Sequence, residues 1–179
     1  MVYVSDFKFY IDKYEVTNQD YQECVTAGAC KETKKKSGFD SPKKPVVYVF
    51  QEDARTYCQW AGKRLPKEQE WQEAAMGTDG RTYPWGNQEP NCSMANYYPC
   101  ASGTVSVGSK PAGASPYGAM DMSGNVWEWV EENGAFRGGG WGDGAHEYYF
   151  VSVDRKYKDS ARPRSDYSLG FRCARDDNP

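Results

Sequence analysis

Residues 117 to 141 constrain this chain more than any other stretch. They read Tyr-Gly-Ala-Met-Asp-Met-Ser-Gly-Asn-Val-Trp-Glu-Trp-Val, then Glu-Glu-Asn-Gly-Ala, then Phe-Arg-Gly-Gly-Gly-Trp. Trp127, Trp129 and Trp141 stand among clustered glycines and two acids, Asp121 and Glu128, that could offer oxygen ligands. Glycine supplies turn conformations closed to other residues and tryptophan supplies buried area, so the backbone here must be tight, irregular and pinned by large aromatics.

A chain of 179 residues fits one domain, 1–179, and no composition break marks a linker. Aromatic residues make up 15% of it, whereas leucine and isoleucine are nearly absent, so the core must be aromatic, valine and alanine. Acids and bases mix along the chain to a net charge of −3, so nothing in it suggests a polyanion partner, and no nucleic acid is expected. The basic run Lys31 to Lys36 adjoins Ser37-Gly38 and reads as a solvated loop. Nothing approaches the roughly 20 apolar residues of a membrane span, and Met1 to Tyr10 lacks the pattern of a signal peptide. Six cysteines in a loop-rich chain favour disulfides, with fifteen complete pairings open; zinc is disfavoured because no C-x-x-C occurs and His146 is the only histidine.

Residues 7 to 16 are rich in β-formers and predict a strand or a pair of short ones. Thr17 is an N-cap candidate with Asp20 three residues on, opening a first helix that ends at Gly28. Lys31 to Lys44 reads as loop, and the apolar run Pro45 to Phe50 as a buried strand. Ala54, Tyr57, Cys58 and Ala61 recur at helical spacing and predict a second helix over 51–61. Pro66 opens a third, with Trp71, Ala74 and Ala75 inward, until Gly77. Beyond it come loops and short strands, giving an α+β domain.

Six blocks, in order, carry a resemblance. They are Phe9 to Asn18; Ala54 to Trp71 with its Ala-Gly-Lys-Arg-Leu-Pro; Tyr83-Pro-Trp-Gly-Asn87; Asp121 to Trp129; Arg137-Gly-Gly-Gly-Trp141; and Gly170-Phe-Arg172. Across nearly its whole length the chain resembles the sulfatase-modifying, formylglycine-generating enzyme family. That implies a variant of the C-type lectin fold with two or three helices, short strands and much irregular structure. The family's enzymes oxidise a substrate cysteine with copper held by two cysteines shortly after the Gly-Gly block. The matching positions here are Asp143 and Tyr148. Soft Cu(I) needs thiolates, so the resemblance implies no catalytic residue and no such oxidase. A related branch uses iron on histidines from an extra helical domain, and His146 stands alone here. The rival reading remains an enzyme with altered chemistry, or a lectin-like piece of a larger surface or signalling protein. Glu89-Pro90-Asn91 is a chance likeness to a sugar-binding loop, lying in another context.

The resemblance also implies a structural calcium held by the side chains of Asp121 and Glu128 and the carbonyls of Gly124 and Val126, a hard oxygen set. The competing reading has Asp121 cap a turn and Glu128 pair with a buried arginine such as Arg172. A second family calcium site is broken, since Pro99-Cys100-Ala101-Ser102-Gly103 replaces the acidic loop after Asn96. By the same resemblance Cys58 pairs with Cys173, leaving Cys24 with Cys30 and Cys92 with Cys100 as local pairs and pointing to an extracellular, virion or cell-surface setting.

Between the framing blocks lies 142–168, dense in Tyr, Asp, Ser, Gly and Arg, a composition that binding surfaces use. The variable proteins of diversity-generating retroelements are similar in scaffold and in placing their randomised positions between such blocks. By that likeness 141–168 is a variable region that binds a protein or cell-surface target. Its candidate contacts are Trp141, Asp143, His146, Tyr148, Phe150, Lys156, Tyr157, Asp166 and Tyr167, whereas Val151, Val153 and Arg155 are assigned to packing. The oligomeric state is open.

Overall fold

The computed structural model describes residues 1–34, 36–143 and 166–177. Among these residues, three α-helices and two three-stranded sheets are joined by long irregular segments. Helix α1 (Asn18–Thr26) begins where the sequence predicts: Asp20 N–H donates to the Thr17 hydroxyl and the Asp20 carboxylate accepts Thr17 N–H, each at 3.1 Å. This reciprocal pair satisfies two of the donors a helix start leaves open. Helix α2 (Gln51–Trp60) is capped by Asp53, which accepts Phe50 N–H, and buries Ala54, Tyr57 and Cys58. Helix α3 (Glu68–Met76) starts two residues beyond Pro66, with Glu70 accepting Lys67 N–H, and buries Trp71, Ala74 and Ala75.

The β structure is shorter than the sequence predicts. Strands β1 (Val2–Val4), β2 (Phe9–Ile11) and β6 (Ala174–Asp176) form one antiparallel sheet in the order β1-β2-β6. Of residues 7 to 16 only β2 is a strand, because Lys8 turns at φ 57° before it and the chain beyond Ile11 bonds singly, Asp12 N–H to Cys173 and Val16 N–H to Phe171. Strand β3 (Trp127–Trp129) lies between β4 (Phe136–Arg137), antiparallel, and β5 (Leu169–Phe171), parallel. Pro45 to Phe50 is not a strand. Tyr48 at φ 62° breaks the extended backbone, although Val46, Val47 and Val49 are buried as the apolar run implies.

One core cluster joins α1, α2, β3 and β5 through residues such as Tyr21, Tyr57, Trp129 and Phe171. A second packs α3 on β1 and β2 around Trp71, Ile11 and Met122. Three disulfides close the frame. Cys58–Cys173 ties α2 to the link between β5 and β6, Cys24–Cys30 clamps the end of α1, and Cys92–Cys100 closes a local loop. Among the described residues no helix is long and apolar enough to cross a membrane.

Candidate functional site

The segment before β3 is bent by three residues of positive φ: Asp121 at 57°, Gly124 at 83° and Asn125 at 65°. Asp and Asn tolerate this region, and at Gly124 nothing but glycine fits, since a Cβ would come 2.5 Å from the Asn96 carbonyl oxygen. The bend gathers buried polar groups. Asn125 Nδ2 donates to Glu15 Oε2 at 2.7 Å and Val126 N–H to Glu15 Oε1 at 3.2 Å, while Asn125 Oδ1 accepts from Asn96 Nδ2 and Val105 N–H. Glu128 receives Arg172 on both oxygens, Nε and Nη2 each at 2.6 Å, and the Trp71 indole N–H at 2.7 Å.

Glu15, Asp121 and Glu128 thus share the interior with Arg172, the arginine whose charge acts on both Glu15 and Asp121. Burial, reinforced by Asp121 and Glu128, holds the Glu15 carboxyl well above the ordinary range, and burial also raises Asp121. Sequence reasoning missed Glu15, Asn96 and Asn125 as members of this network. Of the implied calcium ligands, Glu128 is already paired with Arg172 and bonded to the Trp71 indole. Asp121 Oδ2 accepts Gly108 N–H at 2.6 Å, the turn-capping role of the competing reading. The described residues hold no group of three or more His, Cys, Asp or Glu side chains set for a metal ion.

This network carries the rim. Trp127 N–H donates to Ser168 and Trp141 N–H to Asn125, so both borders of the 142–168 segment hang on the β3 region. Asp143 and Asp166, expected among contact residues, cap backbone turns. Asp143 Oδ2 accepts Gly140 N–H at 2.7 Å, and Asp166 Oδ1 accepts the Ser168 N–H and hydroxyl, each at 2.8 Å. Trp141 and Tyr167 come together, ring centroids 5.5 Å apart, and Tyr167 is 45% exposed. His146, Tyr148, Phe150, Val151, Val153, Arg155, Lys156 and Tyr157 lie outside the described residues.

Three neighbours of this face were not legible as such. Phe39, from the loop read as merely solvated, packs on both rings, with centroids 5.9 Å from Trp141 and 6.3 Å from Tyr167. Lys36 of the same loop places its ammonium 5.8 Å from the Tyr167 ring, a cation–π contact. Tyr98, 62% exposed, stands beside the turn by donating its N–H to the Asp143 carbonyl at 2.8 Å. A lone aromatic in a polar loop was the only available signal for Phe39.

Comparison with known proteins follows this geometry. The inactive C-alpha-formylglycine-generating enzyme 2 of Bos taurus is 38% identical over 150 residues, covering 73% of this chain and 50% of that protein. The formylglycine-generating enzyme of Mus musculus is 35% identical over 170 residues, covering 75% of this chain and 45% of the enzyme. The chain therefore spans about half the length of these relatives. Among solved structures, PvdO from Pseudomonas aeruginosa matches with a TM-score of 0.74 at 24% identity, over 94% of this chain and 80% of that one. The Treponema denticola variable protein 1 matches at 0.72 and 21% identity, over 94% and 84%. At these identities the structures speak for the fold alone, the expected α+β, C-type lectin-like architecture. A family model described as "Sulfatase-modifying factor enzyme 1-like domain" matches residues 3–177, and the chain belongs to that family.

Proposed function

We propose that this chain is a noncatalytic binding protein, displaying a variable surface between Trp141 and Tyr167 on a rigid lectin-like frame, with a protein or cell-surface group as target. The observation that carries this reading is the state of the thiols. All six cysteines sit in disulfides, and the positions that match the family's copper-binding pair are Asp143 and Tyr148. Asp143 is already committed to a turn cap. A carboxylate and a phenol cannot replace thiolates on Cu(I). The name of the bovine relative, an inactive homologue, supports the same direction.

Diversification by a retroelement is the finer part of the proposal. It is supported by the likeness in fold to a variable protein and by the placement of the segment between two framed borders. The test is to sequence the 3′ coding end across many isolates together with its flanking DNA. Substitutions confined to 141–168 beside a near-identical repeat and a reverse transcriptase are expected. An invariant segment would overturn diversification, and copper-dependent oxygen consumption with a cysteine peptide would overturn the noncatalytic reading.

Three disulfides point to an oxidising compartment, and display on a cell or virion surface belongs to the proposal. So does calcium on Asp121, Gly124, Val126 and Glu128. If it binds, chelator lowers the melting temperature and calcium restores it; an unchanged melting temperature leaves Arg172 as the cation this cluster uses.

A further inference from the structure

Between α1 and residues 32–34 and 36–42 lies a cavity of about 820 Å³, within the range of ligand pockets. We infer that this cavity is a fixed subsite of the binding face and takes an aromatic side chain of a polypeptide partner. The inference rests on the reading of the Trp141–Tyr167 face given above, and deepens it.

The lining includes Tyr21, Val25, Val46 and Val47, an apolar set in which the Tyr21 hydroxyl is buried without a hydrogen-bond partner. The far wall is fixed by the framework. Asn18 Nδ2 donates to the Phe39 and Ser41 carbonyls at 2.8 and 3.0 Å, Gln19 N–H to Pro42 at 3.1 Å, and Lys44 Nζ to Gly38 at 2.6 Å. The Cys24–Cys30 bridge holds the end of α1 against the start of the same loop. A wall held in this way loses little ordering entropy when a ligand arrives.

Phe39 decides what kind of occupant fits. It lines the cavity and also packs on Trp141 and Tyr167, so one aromatic surface runs from inside the cavity onto the exposed face. A ring in the cavity, carried by a longer chain that lies across Trp141 and Tyr167, would touch both parts of that surface. Charge agrees. The lining holds Lys34 and Lys36 against Glu23, Glu32 and Asp40, a mixed rim that rejects a strongly anionic or cationic group and accepts a neutral ring flanked by polypeptide backbone.

The experiment is an NMR titration of the full, disulfide-intact chain with the peptide Gly-Gly-Trp-Gly-Gly, and with free indole beside it. Saturable shifts are expected at the amides of Val25, Phe39 and Val46, with the peptide binding several-fold tighter than indole. Gln22→Trp, which puts a ring from the exposed side of α1 over the cavity, should weaken the peptide by about tenfold or more, and Phe39→Ala should weaken it as well. Indole binding as tightly as the peptide would overturn the polypeptide partner. Shifts confined to Trp141 and Tyr167 and indifferent to Gln22→Trp would overturn the subsite while leaving the binding face standing. No saturable shift at all would overturn the subsite, and the sequencing test above would still decide the face.

Discussion

At the scale of single residues, the pairing of Glu128 with Arg172 matters most. Both are fully buried, and the carboxylate accepts two hydrogen bonds from the guanidinium. Removing one partner of such a pair strands a buried charge at a cost of about 3–5 kcal/mol. Arg172→Met should therefore lose about that much in urea unfolding at neutral pH. Glu15 gives a second prediction. Its folded-state value is raised, chiefly by burial, so its contribution is fully present below the ordinary carboxylate value and is lost as pH rises through the raised one. Asp79 and Asp176, lowered by hydrogen bonds from Arg81 and Arg64, work in the opposite sense but only in more acid solution. Between about pH 5 and pH 8, with chelator present, the urea midpoint should thus fall. A flat midpoint over that range would mean that Glu15 is not held in this way. The Glu128–Arg172 pair stood in the sequence as one of two readings, because both residues sit in recognisable blocks. Glu15 did not, since an acid in a run of β-formers carries no mark of burial.

Among elements, the helices were the legible part. The Thr17 and Asp20 cap and the inward spacing of Ala54, Tyr57, Cys58 and of Trp71, Ala74, Ala75 are local signals, and local hydrogen bonds honour them. The strands were not, because segments of two or three residues are too short to show a period of two. Pro45 to Phe50 misled for a related reason: valines buried by neighbours on several sides look like a strand whatever the backbone does. The bridge Cys58–Cys173 binds an early helix to the link between β5 and β6 across 115 residues. In the chain-entropy model such a closure stabilises by roughly 4–5 kcal/mol. The double variant Cys58→Ser, Cys173→Ser should lose about that amount in denaturant unfolding, whereas opening Cys24–Cys30, a six-residue separation, should cost less. Equal losses would argue that strain or packing, not chain entropy, sets the contribution.

For the molecule as a whole, the resemblance carried the fold, and the frame of the face followed from it. What no local pattern could give was the meeting of Phe39 with Trp141 and Tyr167, since three side chains far apart in sequence touch only once the chain is folded. One feature of the second sheet reaches further. Strands β4 and β5 flank the same strand, β3, so the segment that leaves after Arg137 and returns at Leu169 has both ends fastened to one central ribbon. The register of that ribbon is set by pairs such as Glu128 with Arg137 and Glu128 with Gly170, none of which lies inside the segment. Whatever side chains that stretch presents, the pairing that holds its two ends is written outside it.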